Sequence, residues 1–249
     1  MPRGRPTRAS VYARLDTALD ELRSRLGGLP TPEEAAYVWR DIWHLEAHHS
    51  TALEGNTLVI REVEALLDQG RAVGAKPLKE YMEVKGYSDA ATWVYSQAHN
   101  GDQLSTDELV TLTELRQTHE TLMAPVWQVA PHPEASERES PGNFREHDIH
   151  PFDGGMTPPS WSLVPSMVQD WIDMANGIGR RLRDPSHGPL PEQFATLHNA
   201  FERVHPFIDG NGRVGPSDPE PRPRSARVSA DRGAEAAASG VPDRHATCR

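Results

Sequence analysis

Apolar positions recur along this chain at intervals of three and four residues, and they outline a string of amphipathic helices. Val38, Ile42, Leu45, Ala52 and Leu53 mark one stripe running up to Gly55. Before it, Thr31-Pro32-Glu33-Glu34 joins a capping box to a proline at the first helical position, so a helix start is expected there. A second helix is expected over 59–68, stopped by Gly70, and a third over 78–99 with Val84, Tyr87, Ala91, Val94 and Ala98 on one side. Ser105 and Glu108 make a further capping box, opening a helix that turns Leu109, Leu112, Leu115 and Leu122 inward. The Pro-, Glu- and Ser-rich stretch 124–143 reads as loop. Residues 144–160 suit a short β-hairpin turning at Asp153-Gly154-Gly155. A helix with Met167, Trp171 and Met174 follows, then another over 191–204 with Phe194, Leu197, Phe201 and Val204 on one face. The expected fold class is all-α with a single hairpin.

At Pro216 the pattern stops. The last 34 residues hold five Pro, six Arg and seven Ala, and no Leu, Ile, Met, Phe, Trp or Tyr. Such a segment cannot bury enough apolar surface to offset its ordering entropy, so a disordered tail is expected over 216–249.

Composition narrows the function classes. The 249 residues are enough for one large domain or two small ones. A net charge of −10 gives no electrostatic footprint for nucleic acid, so any phosphate site must be local. No apolar run approaches the ~18 residues of a membrane span, and none gives a signal-peptide core. The basic opening MPRGRPTR reads as a frayed terminus. The one cysteine, Cys248, allows no disulfide framework and fits a reducing cytoplasm. Self-association into a homo-oligomer stays open.

The densest chemistry lies in VHPFIDGNGRVG, residues 204–215. An imidazole, a carboxylate, a Gly-Asn-Gly turn and a guanidinium fall within the nine residues from His205 to Arg213. A helix ending at Val204 and a second starting near Asn211 would aim free backbone N–H groups at an anion. The glycines allow close approach, and Arg213 adds a charge-assisted contact to phosphate. Asp209 is a hard oxygen ligand suited to Mg²⁺ shared with phosphates. His205, neutral near pH 7, can take a proton from an attacking hydroxyl, while Phe207 packs inward. His44, His48 and His49 put two imidazoles four residues apart on one helix, but without a third ligand nearby they read as structural.

His205-Pro206-Phe207-Ile208-Asp209-Gly210-Asn211-Gly212-Arg213 resembles the signature of the Fic family. The resemblance implies an all-α core with a β-hairpin flap and transfer of AMP from Mg-ATP to a Ser, Thr or Tyr hydroxyl of a target protein. It makes His205 the general base, Asp209 the Mg²⁺ ligand, Gly210, Asn211 and Gly212 the anion cradle, and Arg213 a phosphate clamp. The expected 144–160 hairpin resembles the family's flap, which aligns the target segment by strand addition. HPFDGG at 150–155 echoes the motif but lacks the Asn-Gly-Arg, and reads as coincidence. Upstream, Ser50-Thr51-Ala52-Leu53-Glu54-Gly55-Asn56 is similar to the family's inhibitory-helix motif, with Glu54 as the inhibitory carboxylate. The implied organisation is an N-terminal extension over 1–30, a region with the inhibitory motif over 31–70, a Fic core over 71–215 and the tail.

The family motif continues to a second arginine, where this chain has Pro216. That removes the γ-phosphate's second clamp and the partner expected for Glu54. A proline there also deletes a helix hydrogen bond, at a cost of ~3 kcal/mol. The tail reads as a shifted reading frame or aberrant gene end. Three readings therefore stand: an adenylyltransferase impaired in this chain, a non-catalytic remnant that at most binds nucleotide or a partner, and a related phosphotransferase.

Overall fold

The computed structural model describes residues 6–27, 35–99, 108–151, 155–181 and 190–217. Helix α1 spans Arg8–Leu26, α2 Ala36–Leu53, α3 Ile60–Gln69, α4 Leu78–His99 and α5 Leu112–Val129. A 3₁₀ turn at Trp161–Leu163 leads into α6, Val164–Arg181, followed by α7, Leu190–Val204, and α8, Asn211–Ser217.

The helices begin and end where local chemistry dictates. In α3, the Glu62 carboxylate accepts the Val59 N–H at 2.9 Å, and Gly70 closes the helix in the left-handed region at φ 64°. The start of α5 differs from expectation. Ser105 lies outside the described residues, and Glu108–Val110 are not helical. The working capping box is Thr111 with Glu114: Glu114 N–H donates to Thr111 Oγ1 at 3.2 Å, and Thr111 N–H to Glu114 Oε2 at 2.8 Å. Leu109 is buried ahead of the helix, where the Asn176 side chain of α6 accepts the Val110 N–H at 3.1 Å. At the other end α5 runs through Pro125 to Val129, so the loop expected from 124 starts only at 130. The Thr31–Glu34 helix start falls outside the described residues, and α1 lies where only an extension was expected.

α4 is the central element, packed against α2, α3, α5 and α8. Its buried stripe includes Tyr81, Val84, Tyr87 and Ala91, meeting Leu115, Leu122, Met123 and Val126 of α5. Gly86 permits that meeting, since a Cβ there would stand 2.9 Å from the Leu122 carbonyl carbon. The stripe of α2 is rotated from the expected one. Trp39, Ala47 and Thr51 face inward, while Leu45 is 49% and Leu53 86% exposed. The hydroxyls of Tyr87 and Tyr95 donate to Glu46 at 3.0 and 3.2 Å, which fixes α2 against α4 in that orientation. α6 and α7 pack through Trp171 and Phe201, and the Trp171 indole N–H donates to the Leu197 carbonyl at 3.0 Å. Met174, expected inward, is 41% exposed.

The hairpin expected over 144–160 is absent among the described residues, which show no strand there; its turn residues 152–154 lie outside them. The physical reason is a side chain. The Arg145 guanidinium donates to the carbonyls of His147 at 3.0 Å and Pro159 at 2.6 Å, so one cation bridges the arms that a ladder would have joined. Asp148 likewise accepts the Trp161 N–H at 2.8 Å. Of the tail, Pro216 and Ser217 complete α8, and the rest lies outside the described residues.

The α4–α5 approach makes a prediction. Gly86→Ala improves helix propensity by about 1 kcal/mol but forces backbone apart, at a cost of about 1–3 kcal/mol. Thermal unfolding should show a lower midpoint for the variant; an unchanged or raised midpoint would contradict the close packing.

Candidate functional site

The motif residues form one tight loop between α7 and α8. His205 continues the α7 ladder through its N–H to Phe201 O at 3.0 Å, then breaks it by adopting φ 48°, the one positive φ outside glycine among the described residues. Gly210 turns the chain back at φ 82°, where a Cβ would also press on Met123 Sδ at 2.8 Å. Asn211 locks the loop from inside. Its side chain accepts the Phe207 N–H at 2.9 Å and donates to the Phe207 carbonyl at 2.8 Å. The Asn211 side chain is thus engaged with the loop, and only its backbone N–H belongs to the start of α8.

Two residues from elsewhere hold this loop. Arg145, with a fully buried side chain, donates through Nε to the His205 carbonyl at 2.8 Å, and its backbone N–H donates to Pro206 O at 2.9 Å. His119 of α5 stacks flat on Phe207, with ring centroids 3.7 Å apart. Neither stands out in the sequence as chemistry. Arg145 falls within the expected hairpin, and His119 is a polar position between Leu115 and Leu122 on the apolar stripe of α5, the one signal that could have marked it.

Burial pushes the His205 imidazole down to about 4, with a hydrogen bond to the Glu202 backbone opposing and the Arg145 charge reinforcing the shift. His205 is therefore neutral at pH 7 and able to accept a proton. Asp209 Oδ1 accepts the Gly210 N–H at 2.6 Å and an Arg213 Nη2 hydrogen bond at 3.1 Å. Arg213 also faces Glu83 of α4, with Nη1 to Oε1 at 3.6 Å. Asp209 remains partly open, its side chain 28% accessible. No cluster of three or more His, Cys, Asp or Glu side chains able to hold a metal occurs among the described residues. One open carboxylate fits Mg²⁺ only as an ion brought in on phosphate oxygens.

Glu54, just past the end of α2, reaches the same place from a distant part of the sequence. Its carboxylate lies against Gly212, where an added Cβ would stand 2.9 Å from the Glu54 carboxyl carbon. Glu202 sits nearby; burial raises its carboxyl above the ordinary range, His198 offsets this in part, and the Glu54 charge adds to the rise. His205, Asp209, Gly210, Asn211, Gly212, Arg213 and Glu54 are thus brought together. The histidines of α2 are not part of this site: His44 is buried and pairs with Asp68 at 3.0 Å, and the rings of His48 and His49 stand edge to face.

A family model described as the Fic/DOC family matches residues 109–216. The protein adenylyltransferase fic-1 of Caenorhabditis elegans is 25% identical over 213 residues, covering 84% of this chain and 37% of its own length. The protein adenylyltransferase Fic of Culex quinquefasciatus is 26% identical over 210 residues, with 82% and 36% covered. The chain therefore spans little more than a third of the length of these relatives. A Fic domain containing signaling protein from Bacteroides thetaiotaomicron shares the fold with a TM-score of 0.61 at 22% identity, over 82% of this chain and 69% of that one. Fic-1 from C. elegans gives a TM-score of 0.56 at 25% identity, over 83% and 55%. The matched stretch runs from just ahead of α5, through the Arg145 loop and the loop between α7 and α8, into α8 itself, so residues 109–216 match a Fic/DOC family domain.

Proposed function

We propose that this site belongs to a protein adenylyltransferase that moves AMP from Mg-ATP to a side-chain hydroxyl of a target protein. The observation that carries the reading is the His205–Arg213 loop itself, with a neutral imidazole, an open carboxylate, the start of α8 and a guanidinium converging. The relatives' adenylyltransferase names support it. In the reaction, a target hydroxyl oxygen bonds to the α-phosphorus and the α–β phosphoanhydride bond breaks, releasing pyrophosphate. His205 takes the hydroxyl proton. Asn211 and Gly212 N–H groups, with Arg213, receive phosphate oxygens. Bound Mg²⁺ supplies neutralisation of phosphate charge, with Asp209 as its ligand from this chain.

Glu54 opposes this chemistry in the reading. A carboxylate against Gly212 fills space that a phosphate needs and adds negative charge beside Glu202, Asp209 and Glu83. Position 216 holds proline instead of the second arginine of the resemblance, so Glu54 acts by occupying the cradle rather than by holding that cation. The same proline supports the competing reading of a non-catalytic remnant that binds nucleotide without turning it over. The intact Gly210-Asn211-Gly212-Arg213 weighs against a phosphotransferase.

Three outcomes follow. Glu54→Gly should tighten Mg-ATP binding in the chain as it stands by at least about tenfold by calorimetry, since a like charge leaves the site. Unchanged affinity would remove Glu54 from the inhibitory role. In a version with Pro216→Arg and a family-type helix restored, labelled ATP should modify protein, and His205→Ala should abolish labelling while the far-UV spectrum is kept. Labelling that survives would take the base role from His205. NMR titration should put the His205 imidazole near 4; a value near 6.5 would mean the ring is solvated and free of Arg145.

A further inference from the structure

We infer that His119 is a positioning residue for Asp209, holding the metal-and-phosphate end of the loop through a directed hydrogen bond to the Asp209 carbonyl. The inference rests on the proposed role of Asp209 and assigns a function to a residue outside the motif.

The geometry leaves the ring little choice. His119 is buried, 2% exposed, and both its nitrogens are engaged. The Gly142 N–H donates to Nδ1 at 2.8 Å, so Nδ1 is bare and the proton resides on Nε2. Nε2 is 3.0 Å from the Asp209 carbonyl oxygen and donates to it. The flat stack on Phe207 fixes the plane of the imidazole, and the Asn211 side chain fixes Phe207. Gly142 in turn is tied to α5, because its carbonyl accepts from Arg116 Nε at 2.7 Å. One ring therefore joins the 130–148 loop, the rigid α5 and the backbone of the metal-ligand residue. The Asp209 carboxylate already accepts from Gly210 N–H and Arg213, so fixing the Asp209 backbone fixes where its remaining oxygen lies.

The two bonds can be separated. A glutamine amide reaches the position of Nε2 and can still donate to Asp209 O, whereas an asparagine amide reaches only that of Nδ1 and serves Gly142. His119→Phe keeps the stack and loses both bonds. If His119 positions Asp209, His119→Gln should keep the Gly210 amide proton resonance of the wild type, while His119→Asn and His119→Phe displace it. For Mg-ATP, measured in the Glu54→Gly background, His119→Gln should stay near the parent affinity. The other two should fall by roughly 10–100-fold, the range for lost support of a metal ligand. Thermal midpoints should fall in all three variants, because each disturbs the core around the buried ring.

Equal displacement of Gly210 in the Gln and Asn variants would overturn the inference, leaving His119 a packing residue. If the parent protein binds no Mg-ATP, the nucleotide reading fails, and the Gly210 resonance still decides whether His119 positions the loop. A wild-type imidazole ¹⁵N spectrum showing the proton on Nδ1 would also overturn it.

Discussion

A loop that turns back sharply inside a protein must have its backbone polar groups paired, or it forfeits about 1–3 kcal/mol for each one left dry. Residues 204–211 are buried almost throughout and contain no regular ladder. Four side chains do the pairing: Arg145 on the His205 carbonyl, Asn211 on both backbone groups of Phe207, His119 on the Asp209 carbonyl, and Asp209 on the Gly210 N–H. The positive φ of His205 persists because these contacts overdetermine it. The cradle thus depends on side chains set by α5 and the 130–148 loop, together with its own asparagine, and α8 need only be long enough to begin.

That arrangement explains how the motif can be assembled beside a proline. Pro216 sits in the last turn of α8, where its missing N–H costs one helix bond. The pins act upstream of it. In the proposed reading, anion recognition and turnover are separable: the first would draw on residues 205–213, the second on a cation at position 216, where the sequence has proline. Glu54 belongs to the first, since its carboxylate meets Gly212 directly.

Much of this was legible in the sequence. The motif loop, the ends of α3, α4 and α7, and the start of α8 follow from periodicity, glycines and the nine-residue signature, and Glu54 was placed by its own short motif. Where expectation missed, a tertiary contact outweighed a local signal. The Thr111–Glu114 box took the place of Ser105–Glu108 because Asn176 takes the Leu109 and Val110 N–H groups and keeps them out of the helix. The α2 stripe rotated because Glu46 pairs with two tyrosines of α4. The hairpin gave way to the Arg145 bridge. His119 and Arg145 went unread because a buried polar side chain declares its partner only once the chain has folded.

Amide hydrogen exchange on the full chain without ligand reads directly whether side-chain pins preform the loop. The amides of His205, Phe207, Arg213 and Val214 should exchange as slowly as those of the buried turn of α5 around Leu122. Exchange of those four at the rate of an open chain, with α5 still protected, would contradict a preformed loop.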